Sequence, residues 1–179
     1  MNSPPSAIVV MGVSGCGKSS VGAACADALG WALHEGDVYH APENIAKMRA
    51  GTPLTDADRA GWLDQLAALL AARAGQGVVL TCSALRRGYR DRLRAAQPGL
   101  GFVFLALDYA QALARVQSRA GHFFSPALVA DQFATLESPV SEPRVLALDA
   151  TRPVAELVQE SVRWLRAAHD NTHRTGAGA

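Results

Sequence analysis

An apolar run, Ala7-Ile8-Val9-Val10, leads into Met11-Gly12-Val13-Ser14-Gly15-Cys16-Gly17-Lys18-Ser19-Ser20 and then into a helix-like stretch ending at Leu29. Three glycines, one lysine and three serines in ten positions suit neither a core strand nor a helix. They call for a backbone path that glycine permits. Gly12, Gly17, Lys18 and Ser19 fit the phosphate-loop spacing GxxxxGK[ST], and a strand before with a helix after is the context this pattern needs. In such a loop the backbone N–H groups of Gly12, Val13, Ser14, Gly15, Cys16, Gly17, Lys18, Ser19 and Ser20 are candidates to line phosphate oxygens. The following helix N-terminus adds its partial positive charge. Lys18 would reach the terminal phosphates and Ser19 would ligate Mg2+, so ATP and Mg2+ are the expected ligands. A glycine-rich turn that binds nothing is the plainer alternative.

Around this loop the chain alternates apolar runs with helical stretches. The runs are Ala7 to Met11, a weaker Trp31 to His34, Gly77 to Cys82, Phe102 to Leu107 and Val145 to Leu148. Runs that are apolar throughout suit strands buried on both faces of a parallel sheet. Helices are expected at Lys18 to Leu29, Ala41 to Ala50, Asp56 to Ala74, Arg86 to Ala96, Ala110 to Arg119, Pro126 to Leu136 and Pro153 to Ala168, the last capped by Asp149 or Thr151. The fold class that follows is α/β, a five-stranded parallel sheet with helices on both faces. One domain over residues 1–170 is expected, with a polar, frayed tail at 171–179.

With 17 basic and 16 acidic residues and a net charge of +1, no global field gathers nucleic acid or an anionic membrane. An anionic ligand then needs a local cluster of cations. Cys16, Cys25 and Cys82 lack zinc or disulfide spacing and are expected as free thiols. The N-terminal stretch lacks a basic leader and no apolar run approaches a membrane span. A cytoplasmic location is the expectation.

Several reaction classes use such a loop. A nucleotide switch needs a DxxG segment at a strand end and a guanine reader, and the DxxG at Asp27 to Gly30 ends the first helix. A motor needs an acid on a strand beside the loop. Asp108 resembles one, but it directly precedes a helical stretch, where an N-cap role is the simpler reading. A small-molecule kinase needs an acid for the acceptor hydroxyl and arginines that close over the phosphoryl group. Glu35-Gly36-Asp37 follows the second strand run, and ligands gather at the carboxyl ends of strands in such sheets. The strand carrying this acid pair is expected to neighbour the phosphate loop. Asp37 is the candidate base, and Glu35 is either a holder of magnesium-bound water or a solvated loop charge. Arg115 and Arg119, four apart, either converge on a polyphosphate as part of a mobile lid over about 115–135, hinged at Gly121, or form a basic helix surface.

The strings EGDVYHAPENIAKMRAGTPLTDADRAGWL, CSALRRGYRDRLR, RAGHFF and QFATLESP, together with the phosphate loop, closely resemble the gluconokinase family, with shikimate kinase a more distant relative. The resemblance covers about Ile8 to Ala168. It implies phosphorylation of D-gluconate to 6-phosphogluconate from ATP, with a homodimer as a further possibility. It implies catalytic roles for Lys18, Asp37 and Arg119, and Arg115 on ATP. It also implies an acceptor site drawn from Asp37, His40, Arg59, Ser83, Arg90 and His122, with Ser19 and Glu35 at the metal. Arg59 is the first candidate for the carboxylate and Arg90 the second; Arg86 and Arg87 are cations that solvent alone would explain. His40 is either a hydroxyl partner or a structural histidine, and Trp62 and Leu63 read as core. Cys16 replaces the commoner Ser, Ala or Thr, at little cost where the backbone binds. Ala120 replaces a frequent basic residue of the lid. Another small hydroxy acid such as shikimate, or nucleotide binding without catalysis, are the alternatives.

Overall fold

The computed structural model describes residues 5–118 and 125–175, with side chains as far as Ala168. Five parallel strands, β1 (Ala7–Met11), β2 (Ala32–Glu35), β3 (Val78–Thr81), β4 (Gly101–Ala106) and β5 (Val145–Asp149), form one sheet in the order β2-β3-β1-β4-β5. The helices are α1 (Lys18–Leu29), α2 (Pro42–Arg49), α3 (Asp56–Ala72), α4 (Arg87–Ala96), α5 (Tyr109–Ser118), α6 (Val129–Thr135) and α7 (Val154–Thr175). Among these elements none is both long and apolar enough to cross a membrane.

β1 shows why the central strands read as unbroken apolar runs. Ile8 and Val10 point into one core layer with Val21 and Cys25 of α1 and Leu157 and Leu165 of α7. Ala7, Val9 and Met11 point into the other, with Trp62, Leu66 and Leu70 of α3 and Leu93 of α4. All five are essentially sealed from solvent, and each large side chain so buried contributes on the order of 1.5–3 kcal/mol. β2 reads weakly because it is an edge strand, with Ala32 and Leu33 exposed.

The order departs from the expectation that the acid-bearing strand neighbours the phosphate-loop strand. β3 lies between β2 and β1, paired to both. The helix boundaries shift by a residue or two, and the stretch from Pro126 splits into a 3-10 turn, Pro126–Leu128, followed by α6. α7 runs through the expected tail as far as Thr175, since no glycine or proline interrupts the sequence before Gly176. Asp149 does not cap α7. Its carboxylate accepts instead from the backbone N–H and hydroxyl of Thr151, at 2.9 and 2.7 Å. Asp108 is an N-cap, accepting from the Gln111 N–H at 2.8 Å.

The three cysteines are free thiols and buried. Burial pushes the Cys82 thiol up to about 12, which makes it inert as a nucleophile.

Candidate active site

The turn from β1 to α1 takes the conformation its glycines permit. Gly12 has φ 142°, and a Cβ there would lie 2.8 Å from both the Cys16 Sγ and the Leu105 carbonyl oxygen. Val13 and Cys16 bury their side chains in the core, so only their backbones can serve a ligand. Lys18 folds back, its Nζ donating to the carbonyls of Gly12 and Val13 at 3.1 Å each. Arg115 donates to the Gly15 carbonyl at 3.2 Å and to the Ala150 carbonyl at 3.1 Å. It thereby ties α5 and the loop after β5 to the phosphate loop. Ser20 is exposed on α1.

Although β3 separates them in the sheet, β2 and the phosphate loop meet through side chains. Glu35 accepts from the Ser19 hydroxyl at 3.1 Å and from the Thr81 hydroxyl at 2.5 Å. This is a set of hard oxygen atoms at the first turn of α1, the donor chemistry that Mg2+ prefers. Among the described residues no three His, Cys, Asp or Glu side chains form a metal cluster.

Asp37 lies on the 3-10 turn Gly36–Tyr39. That turn is pressed onto β3: a Cβ at Gly36 would stand 2.3 Å from the Thr81 carbonyl oxygen. From the other side the Trp62 indole N–H donates to the Gly36 carbonyl at 2.8 Å. Trp62 also stacks on His40, ring centroids 4.3 Å apart and planes 13° apart. His40 Nδ1 is buried with no partner among the described residues. Burial lowers the His40 pKa; Asp37 opposes this and Arg59 adds to it, so the ring is neutral at physiological pH.

Arg59 is carried on α3, whose start is fixed by a capping box between Thr55 and Asp58. Asp58 also accepts from Lys47 at 2.7 Å, and its backbone carbonyl accepts from Asn44 at 2.7 Å, joining α2 to α3. The Lys47 hydrogen bond, followed by the Thr55 backbone, brings the Asp58 carboxyl from 3.8 down to about 2. A depressed carboxyl stabilises the fold above its unfolded value, and that contribution is lost as pH falls through the folded one. Acidification between about pH 4 and pH 2 should therefore loosen the α2–α3 junction. An NMR titration should place the Asp58 midpoint near 2, with Lys47→Met moving it upward; an unmoved midpoint would remove Lys47 as the cause.

One cleft gathers Ser14, Lys18, Asp37, His40, Arg59 and Ser83 with Met48, Pro53, Leu54, Trp62, Leu128, Asp131 and Gln132. Arg59 Nη1 donates to the Leu54 carbonyl at 2.7 Å and to the Tyr89 hydroxyl at 3.4 Å. Leu63 is core, as expected, whereas Trp62 both fills the core and lines the cleft. Asp131 and Gln132 were not legible in the sequence, because nothing local shows that α6 returns to the phosphate loop. Gln132 Oε1 accepts from the Ser14 backbone N–H at 2.6 Å.

Arg90 is corrected by the structure: it is absent from the cleft and wholly buried. It donates to the carbonyls of Ala84, Leu85 and Glu137 and to both oxygens of Glu142. Its guanidinium is filled by the protein. Arg86 pairs with Asp56 and Arg87 with Asp91 on the surface, as solvated cations do. Arg119, Gly121, Ala120 and His122, with the rest of the expected lid hinge at 119–124, lie outside the described residues.

The AAA domain family pattern matches residues 8–143. The gluconokinase of Gluconobacter oxydans is 42% identical over 171 residues, covering 93% of this chain and 95% of its own. The thermoresistant gluconokinase of Escherichia coli is 39% identical over 161 residues, covering 88% and 92%. The chain belongs to the gluconokinase family. In three dimensions it superposes on the crystal structure of a gluconokinase from Sinorhizobium meliloti 1021 with a TM-score of 0.87 at 47% identity, over 97% of this chain and 98% of that one. The gluconokinase fold thus spans nearly the whole chain, with the cleft at the carboxyl ends of β1, β2 and β3.

Proposed function

We propose that this protein transfers the γ-phosphoryl group of ATP to the 6-hydroxyl of D-gluconate. One observation carries the reading: a single cleft places the phosphate-loop residues Ser14 and Lys18 beside a carboxylate, Asp37, and a guanidinium, Arg59. A neutral chain selects an anionic polyol through such a local cation with polar groups around it. Family membership narrows the polyol to gluconate.

In the proposed mechanism the phosphate loop cradles ATP, and Lys18 leaves the Gly12 and Val13 carbonyls to follow the terminal phosphates. Ser19 and Glu35 are the residues that would hold Mg2+, which when bound neutralises phosphate charge. Asp37 accepts the hydrogen bond of the 6-hydroxyl, aligns its oxygen with the γ-phosphorus and takes the proton as the new O–P bond forms and the γ-phosphorus bond to the bridging oxygen breaks, ADP leaving. Arg59 holds the carboxylate, and neutral His40 offers its unpartnered Nδ1 to a hydroxyl. Arg115 keeps the loop in shape, while Arg119, which would stabilise charge on the phosphoryl group, and His122, which would bind the acceptor, lie outside the described residues.

ADP release from Mg-ATP, measured with gluconate, shikimate, glucose, glycerate or AMP, tests the reading. Acceleration by gluconate alone is expected. Acceleration by another acceptor would overturn the gluconate assignment, and acceleration by none would overturn catalysis. Arg59→Ala should raise the KM for gluconate about 10- to 100-fold, the worth of hydrogen bonds to a charged group, with the KM for ATP held. An unchanged gluconate KM would remove Arg59 from the acceptor site.

A further inference from the structure

Gln132 is nine-tenths buried, at 9% exposure, and bonds to a residue 118 positions away in sequence. The Ser14 group it meets is a backbone N–H, which can only donate, so the side-chain atom 2.6 Å away is the amide oxygen. That fixes which way the amide faces. Its oxygen is committed to the phosphate loop, and its Nε2 carries two N–H donors that no described residue accepts. Gln132 also lines the cleft that holds Asp37, His40 and Arg59. An amide whose oxygen is held by the protein, on a residue that lines a cleft, is suited to an oxygen-rich ligand that accepts from its N–H donors.

From this geometry, and resting on the acceptor reading above, we infer that Gln132 is a specificity residue for the acceptor: it reads an acceptor hydroxyl with Nε2 while Oε1 holds the Ser14 N–H. The residue thereby sets the position of the polyol relative to the loop that holds the transferring phosphoryl group. Its neighbour Asp131 lines the same cleft, and its negative charge repels the acceptor carboxylate and directs it toward Arg59. Gln132 and Asp131 together give the acceptor one orientation, its charged end at Arg59 and its hydroxyls at α6.

The test is a comparison of acceptors in wild type and Gln132→Met, which keeps the length and removes both polar ends. The KM for gluconate should rise about ten-fold, the loss of one buried hydrogen bond, a larger change than that in ATP affinity measured without acceptor. A series of gluconates each lacking one hydroxyl decides the matter. One of them should show the same kcat/KM in both enzymes, because the hydroxyl that Gln132 reads is already gone. If every deoxy acceptor keeps the ten-fold difference, or if ATP affinity shifts and gluconate KM does not, Gln132 serves the phosphate loop alone and the inference is overturned. Should Gln132→Met melt early, Gln132→Glu, which leaves an oxygen for Ser14, is carried through the same series. Wild type inactive on gluconate would instead sink the acceptor reading itself.

Discussion

Asp37→Asn is expected to lower kcat by about 10²- to 10⁴-fold and to leave the KM for ATP within about two-fold. The change keeps size and shape and removes one proton-accepting group. No described side chain hydrogen-bonds the Asp37 carboxylate, so its accepting capacity is available to the acceptor hydroxyl. Its position is set by neighbours that the substitution leaves in place: the Gly36 carbonyl on the Trp62 indole, the turn against β3, and the His40 backbone N–H on the Asp37 carbonyl at 3.3 Å. Steady-state kinetics in both substrates provide the check. Equal losses in kcat and in ATP affinity, or a kcat within ten-fold of wild type, would take away the role of base.

The second large effect falls on stability. Arg90→Leu should cost about 3–5 kcal/mol, the usual consequence of removing one partner of a buried ion pair. Glu142 would remain with its side chain 5% exposed and three carbonyls would lose their donor. In the native protein burial raises the Glu142 carboxyl, but the Arg90 hydrogen bonds and the charge of Arg90 and Arg94 outweigh it and hold the pKa below the ordinary value. Arg94 contributes a close ion contact at 2.7 Å rather than an aligned hydrogen bond. Chemical denaturation measures the loss. Adding Glu142→Leu should recover part of it, because the stranded carboxylate is then gone. A wild-type midpoint together with a raised gluconate KM would return Arg90 to the acceptor site.

Arg90 and Arg59 show where the sequence is legible and where it stops. Both sit in strings that resemble gluconokinases, and both have a guanidinium able to grip a carboxylate. What separates them is the fate of residues 137–142, which fold over α4 and occupy Arg90 with Glu142 and the Glu137 carbonyl. No local pattern announces that return. The phosphate loop, by contrast, was legible because its requirement is local: glycines at positive φ between a strand and a helix. The five strands were legible for the same reason, as were the carboxyl ends on which Asp37 and Ser83 lie. Strand order was not, since two strands close in sequence need not pair, and β3 inserts between them. Gln132 and Asp131 escaped notice because a short helix with ordinary composition became part of the site only through tertiary approach. Trp62 read as core, and it is core, but its indole N–H also holds the turn that carries Asp37.

The insertion of β3 also sets when the site can exist during synthesis. A nascent chain that stops before Val78 already contains Lys18, Ser19, Glu35, Asp37 and Arg59, yet it lacks the strand that spaces β2 from β1. It also lacks the Thr81 backbone against which Gly36 is seated. The phosphate loop, Asp37 and Arg59 are thus early in translation and late in assembly. Because the pairing that unites them spans a long stretch of chain, closure of that loop must precede any contact that rewards it. A ribosome-bound fragment ending ahead of β3 should therefore display the phosphate-loop sequence without the cleft.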